Sequence, residues 1–367
     1  MKAIRRFPAV IVALVILICA AVSASGEETG TSPPQTDDCF TERDLTGYWD
    51  ASAKTIFLLG DTAEESSHVV STEDGIITIM DGGTYVLTGT LDDGSIVVDV
   101  KDDERVQLVL NGASITSSSS AAIRVIQADK VFITLAEGTE NILANSGAFD
   151  EDSDVDAVVY SDEDLTFNGT GTLTILSPVG NGIDGKDDIK FVSGTCFITA
   201  GNRGVNANDS IRIFGGTFTV ESGSDAFRAD HNSKESLGYV YIWDGIFNIT
   251  AGSGAVNGKS AAVNNSMLQM PQEMMHGQKA ETEETTVEGK GFKASGDLII
   301  LGGEFTLDTA SDAFHADRNL TVYGGQLTIA SGNDGLHVDG NLSILDGTVQ
   351  ITQSVEGLEA EVILRRN

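Results

Sequence analysis

The chain has few cysteines, few basic residues, one short apolar run and no helical periodicity, and each scarcity excludes something. Of its three cysteines, Cys19 lies in the leader read below, so Cys39 and Cys196 remain, too few for a disulfide scaffold. Cys196 takes the slot that Phe218, Phe247, Phe305, Leu327 and Val349 take in sister repeats, which makes it a core residue. Lys and Arg number 22 against 55 Asp and Glu, a net charge of −33 that becomes −36 once Lys2, Arg5 and Arg6 leave with the leader. Nucleic acids and anionic membranes are bound through basic patches, so neither suits this chain. A neutral polymer is allowed, and an acidic one where cations bridge. The apolar run from Phe7 to Val22 is short of the ~20 residues that a membrane span needs. With its basic start and the small residues Ser23-Ala-Ser25, it reads as a secretory signal peptide over residues 1–25. The expectation is an exported protein, extracellular or at the cell surface, with no membrane insertion after cleavage. Residues 26–53, rich in Thr, Pro and acids, read as a flexible linker.

What is present instead is a repeat. Ser311-Asp-Ala-Phe-His-Ala-Asp317 is answered by Asn333-Asp-Gly-Leu-His-Val-Asp339, and each phrase is followed by two short apolar alternations around a Gly-Gly or Asp-Gly turn. The first core position of each unit recurs at Leu298, Leu320, Leu342 and Leu364, in steps of 22 residues. Ile189 to Ile211 is again 22, and Val106, Val131, Leu165, Val240 continue the rhythm more loosely. Two-fold alternation at this period predicts an all-β solenoid, a parallel β-helix of three strands and about 22 residues per coil over residues 54–367. About eleven coils at ~4.8 Å each would make a rod about 50 Å long. Asp81-Gly-Gly83, Asp92-Asp-Gly94 and Asn111-Gly112 read as turns, and the glycines as corners. One excursion, at about 257–291, carries Met267, Met270, Met274 and Met275 and the run Glu281-Thr-Glu-Glu284. It reads as a loop without a specific role or as a lid over one face. The last residues fall in the first strand of a new coil, which predicts a cap or weak self-association of an otherwise monomeric protein.

Aligning the third strand of each coil on its small residue (Gly182, Gly204, Ala226, Ala255, Ala313, Gly335, Gly357) produces columns. The residue before is Asn181, Arg203, Asp225, Gly254, Asp312, Asp334, Glu356; the residue four after is Lys186, Asn208, Asp230, Lys259, Asp317, Asp339, Glu361. Stacked carboxylates ~4.8 Å apart repel by about 1 kcal/mol in water and roughly 3.5 kcal/mol at an effective dielectric of 20. Ca²⁺, which takes six to eight oxygen ligands in tolerant geometry, would relieve that repulsion at Asp225, Asp230, Asp312, Asp317, Asp334 and Asp339. The alternative is a solvated acidic face with screened repulsion. Between the acids runs an outward column of Asp184, Asn206, Arg228, Asn257, His315, His337 and Glu359. Two histidines without a third ligand make a poor zinc site. Arg228, between Asp225 and Asp230, is either an ion-paired surface residue or a weak candidate base against an acidic sugar. Phe214, Trp243, Leu301, Tyr323 and Leu345 also stack, with Tyr239 and Tyr241 beside them. They are either corner packing or a strip on which sugar rings lie.

Six runs carry a family resemblance: Tyr85-Val-Leu-Thr-Gly-Thr, Ile96-Val-Val-Asp, Val109-Leu-Asn-Gly-Ala-Ser-Ile115, Phe132-Ile-Thr-Leu-Ala-Glu-Gly-Thr-Glu-Asn141, Asp164-Leu-Thr-Phe-Asn-Gly-Thr-Gly-Thr-Leu173 and Gly182-Ile-Asp-Gly-Lys-Asp-Asp188. Over roughly 54–364 the chain resembles secreted prokaryotic carbohydrate-binding domain proteins. The resemblance implies a right-handed parallel β-helix similar to pectate lyases, calcium between coils, and binding of cellulose or acidic plant polysaccharide without clear lyase activity. Asp187, Asp188 and Asp209 match the family's acidic turn and join the calcium candidates. The function expected is calcium-dependent recognition of a cellulose-like or acidic polysaccharide. A polysaccharide lyase of the same fold and a structural surface rod or adhesin are the rivals.

Overall fold

In the computed structural model, residues 34–50, 52–60, 69–71, 75–150, 153–231, 233–259 and 289–366 are described. The expected signal peptide, residues 26–33 of the expected linker, and the four methionines and acidic run of the excursion lie outside them. The described chain is all-β apart from the four-residue helix Thr36–Cys39 and the 3₁₀ turn Ala255–Asn257. Among the described residues no helix is long and apolar enough to cross a membrane.

Alternation sets each strand. In Thr217–Ser222, Phe218 and Val220 turn inward while Thr217, Thr219 and Glu221 face out. Ser210–Ile213, Thr217–Ser222 and Phe227–Ala229 make one coil, and each pairs in parallel with its counterpart in the coils before and after. Three stacked parallel ladders result, the arrangement of a parallel β-helix. The expected core positions face each other in register: Val131 with Leu165, Leu165 with Ile189, Ile189 with Ile211, Val240 with Leu298, and Leu298 with Leu320. The corner between the first and second strands is a glycine column at positive φ, as at Gly216 (121°) and Gly245 (138°). A β-carbon on Gly216 would stand 3.1 Å from the Gly194 carbonyl oxygen.

The interior is a continuous aromatic stack. Phe218, Phe247 and Phe305 lie face to face at 5.1 and 4.6 Å, and Phe227, Phe292 and Phe314 at 4.9 and 5.2 Å. The two columns meet edge to face, as Phe218 and Phe227 do at 5.8 Å. Cys196 faces Phe218 in register and is buried, as expected of a core residue. Among the described residues both Cys39 and Cys196 are free thiols.

Asn111-Gly112 does form a corner within Arg105–Ser117: Gly112 has φ 73°, and the chain passes there from pairing with Lys130–Leu135 to pairing with Glu140–Asn145. Three expectations are corrected. Leu342 faces Ile363 rather than Leu364, which is 55% exposed, so the last step is one residue shorter. The excursion enters earlier than expected, because the third strand of that coil is Phe292–Ala294, in register with Phe227–Ala229 and Phe314–Ala316. Gly291, Lys290 and Lys293 therefore hold the column places given to Ala255, Gly254 and Asn257. Finally, residues 34–50 are not a loose linker. They form a strap along the first ladder, with Phe40 and Asp44 buried in it.

Candidate functional site

The strap touches one coil after another. Phe40 packs edge-on against Trp243 at 5.1 Å and Phe214 at 5.6 Å. Arg212 donates to the Cys39 carbonyl at 3.3 Å. Asp44, fully buried, accepts from Thr166 at 2.9 Å and lies 3.3 Å from Lys130 and 3.4 Å from Lys190. Arg43 donates to Gln107 at 2.7 Å and covers the Phe132 ring. Trp49 packs against the buried cluster of Val86, Val109 and Ala136. The aromatic strip expected at Tyr239, Tyr241, Trp243 and Tyr323 is thus partly covered by the protein itself. Tyr239 and Tyr241 pack ring on ring at 4.4 Å, Arg212 lies over Tyr239, and Trp243 is the seat of Phe40. Tyr323 is half-buried outside the Phe40 contact. Where the strap crosses Thr84 and Gln107 it borders an open pocket of about 480 Å³, lined also by Arg43, Tyr48, Trp49 and Asp50. Tyr48 is 69% exposed at its mouth. The sequence reading missed this site. Its signal was the cluster Phe40, Leu45, Tyr48 and Trp49 within a supposedly polar linker.

On the third ladder the outward column is Asp184, Asn206, Arg228, Lys293, His315, His337 and Glu359, in register. The acids beside it are tied into the backbone. Asp225 accepts the Lys290 amide at 2.9 Å, Asp312 the Asp334 amide at 3.2 Å, and Asp334 the Glu356 amide at 3.0 Å. Each buried carboxylate therefore bonds to the next coil, which offsets its desolvation. The protein also supplies cations. Arg228 bridges Asp225 and Asp230, Lys293 lies 3.7 Å from Asp230, and Lys290 3.7 Å from Asp312. His315 sits 3.0 Å from both Asp312 and Asp317, and His337 contacts Asp334 at 3.3 Å and Asp339 at 3.4 Å. Burial pushes the Asp312 carboxyl up, but His315, Lys290 and Asn333 outweigh it and hold it at about 2. Asp334 goes the other way, to about 6, through burial and the neighbouring Glu359 and Asp312.

The chemistry of these donors tests the calcium expectation. At Asp225, Asp230, Asp312, Asp317, Asp334 and Asp339 the carboxylates face guanidinium, ammonium or imidazole groups, which does not suit an ion bound by oxygen alone. Asp188 is taken by Arg212 at 2.7 Å. The turn acids fit better. Burial and the charges of Asp209, Asp164 and Asp188 push the Asp187 carboxyl up. Glu163 is pushed up by burial and then by Asp187. Asp164 has Lys130 at 3.4 Å and Asp209 has the His231 ring at 3.7 Å, whereas Asp187 and Glu163 make no ion pair among the described residues.

Two coils before the histidines, a shallow cleft of about 170 Å³ opens, lined by Asp184, Lys186, Arg203, Asn206, Arg228 and Asp230. Lys186 is paired with Asp184 at 3.3 Å, and Arg228 is clamped on both sides. Arg203 stands between Asn181 of the coil before and Asp225 of the coil after, and its guanidinium makes no ion pair among the described residues. Its sequence signal was a basic residue in a column that turns acidic from the next coil, at Asp225.

A family model described as carbohydrate-binding domain-containing protein matches residues 73–335. A carbohydrate-binding domain-containing protein of Acetivibrio thermocellus is 32% identical over 259 residues, 69% of this chain and 85% of that protein. Among solved structures, a polysaccharide lyase-like protein from C. thermocellum, solved as a gadolinium derivative, superposes with a TM-score of 0.53. That likeness is at 23% identity and covers 85% of this chain and 99% of the other, and it speaks for the fold. The chain belongs to the carbohydrate-binding domain-containing protein family.

Proposed function

We propose that this is an exported, right-handed β-helix that binds acidic polysaccharide along its third face, with calcium at the turn acids and without catalysis. The observation that carries the reading is Arg203, a guanidinium without an ion-pair partner among the described residues, in a polar cleft whose other cations, Lys186 and Arg228, are paired. A planar guanidinium is matched to a carboxylate, and a uronic acid supplies one. The net charge of −33 would repel such a polymer at long range, so calcium held by Asp187 and Asp209 serves to bring it in. Arg228, with its guanidinium engaged by carboxylates on both sides, is not free to serve as the base that a lyase would need. A second reading rests on the strap pocket. Tyr48 and Trp49 above Thr84 and Gln107 combine ring faces with hydrogen-bonding groups, which suits a neutral glucan.

Affinity electrophoresis separates these readings. The chain should be retarded in polygalacturonate with calcium and less so with EDTA. Arg203→Ala should weaken that binding about tenfold to a hundredfold, the scale of a hydrogen-bonded charge pair. Tyr48→Ala should leave it intact and reduce only retardation by a neutral β-glucan. Retention of no glycan would favour the surface-rod alternative, and unsaturated product from polygalacturonate would favour the lyase.

A further inference from the structure

The Asp–cation–Asp frame repeats on the third ladder, but its central residue changes. In one coil it is Arg228 between Asp225 and Asp230, a permanent cation. In the two coils that follow the one carrying Lys293 it is His315 between Asp312 and Asp317, and His337 between Asp334 and Asp339. Imidazole differs from guanidinium in that it can release its proton and become a metal ligand. We propose that His315 and His337, with the carboxylates of Asp312, Asp334 and Glu359, bind one divalent cation of the zinc class.

The distances suit it. His315 Nδ1 is 3.0 Å from the Asp312 carboxylate, and His337 Nδ1 is 3.9 Å from the same group. His337 Nδ1 is also 3.3 Å from Asp334 and 3.3 Å from Glu359. Ligands about 2.0–2.2 Å from a tetrahedral zinc ion lie roughly 3.4 Å from one another, so most of these edges need little movement. Two groups of three donors meet here, Asp312 with His315 and His337, and Asp334 with His337 and Glu359. The second group shares His337 Nδ1, and one nitrogen lone pair holds one ion, so the expected stoichiometry is one.

An independent feature marks the site as built. The far nitrogens of both rings are engaged by carboxylates, His315 Nε2 with Asp317 at 3.0 Å and His337 Nε2 with Asp339 at 3.4 Å. A carboxylate behind each imidazole fixes the ring and keeps the proton on Nε2, which leaves Nδ1 aimed at Asp312 and Asp334 as the ligand atom. The rings stand 4.6 Å apart. Five carboxylates surround them, and the neighbouring ammonium of Lys290 lies 3.7 Å from Asp312. Imidazole with carboxylate selects a late first-row ion, whereas calcium takes oxygen alone.

The test uses the untagged mature chain, stripped with EDTA and dialysed, and titrated with Co²⁺ for its visible absorption and with Zn²⁺ by calorimetry. One ion per chain is expected, with a rise in melting temperature. His337→Gln should abolish binding, and Asp317→Asn should weaken it about tenfold to a hundredfold, as loss of a group behind a ligand does. His337→Lys restores a fixed cation of the Arg228 kind. It should fold as well as the metal-free parent and show no zinc-induced shift, so a folding defect is told apart from a lost ligand. Absence of a cobalt spectrum, full binding in His337→Gln, or displacement by equimolar calcium overturns the proposal. Polygalacturonate binding through Arg203 is read separately and does not depend on the outcome.

Discussion

At Asp44 a carboxylate is held out of water by groups from three coils. Burial alone would raise its pKa, but the Thr41 amide, Lys190, Lys130 and Thr166 together bring it to about 2. Asp44 cannot neutralise both lysines equally. Lys130, which also has Asp164 at 3.4 Å, is pushed up, whereas burial and the Lys130 charge push Lys190 down. The ordinary Asp value is about 3.9, so the stabilising contribution is fully present above pH ~4 and is lost as pH falls toward about 2. The chain's two tryptophans report on this segment, since Trp49 lies in the strap and Trp243 under Phe40. Acid titration should therefore shift tryptophan emission between pH ~4 and ~2. Asp44→Asn should flatten that transition and destabilise the strap by about 3–5 kcal/mol, because the buried Lys190 ammonium loses its counter-charge and Lys130 keeps only Asp164. An emission curve that is flat through this window in the parent chain would refute the account.

At the scale of the element, the strap explains both what was legible and what was not. Periodicity reveals strands because each strand meets the core at every second residue. The strap runs across the coils and touches them at Phe40, Arg43, Asp44 and Trp49 without regular spacing, so it leaves no period to read. The acid columns were legible wherever the step is 22, and Asp225, Arg228 and Asp230 were placed together from spacing alone. Counting failed at the excursion, where Asn257 was put in the place of Lys293, because an insertion inside a coil shifts the phase without changing local composition. The neutralising cations were also hidden, since Lys290 pairs with Asp312 from a neighbouring coil. Phe40→Ala should undock the strap, at a cost of about 3–5 kcal/mol for a buried aromatic ring. Cys39 provides the readout. It is buried and its thiol is pushed up by burial, so it resists alkylation in the native chain. In Phe40→Ala it should react rapidly, while Cys196, wholly inside the core, stays protected until global unfolding. Equal reactivity of Cys39 in parent and variant would mean that Phe40 does not hold the strap.

For the molecule as a whole, stability in a stacked solenoid is close to a sum over coils and their nearest-neighbour contacts. What matters is whether the stack is continuous past the excursion, and it is. Phe247 stacks on Phe305 at 4.6 Å and Phe227 on Phe292 at 4.9 Å, one pair on either side of the point where the chain leaves. The two ends of the departure also meet, for a β-carbon on Gly289 would stand 2.6 Å from the α-carbon of Gly252. Joining Gly252 directly to Gly289 would thus close the coil. The change discards Ser253, a non-glycine residue at φ 66°, and the contact of the Ala255 amide with the exposed Asp308 carboxylate at 2.7 Å. It also uncovers the backbone of Ala310 and Gly332, against which Gly258 packs. These losses are peripheral, about 1–2 kcal/mol, a drop of roughly 2–8 °C in melting temperature for a domain of this size. Deleting residues 253–288 should therefore leave one cooperative transition, unchanged polygalacturonate binding through Arg203 and an intact cobalt spectrum at His337. Loss of glycan binding in a folded deletion variant would show that the excursion acts as a lid over the third face. Loss of the cooperative transition would show that it is part of the stack.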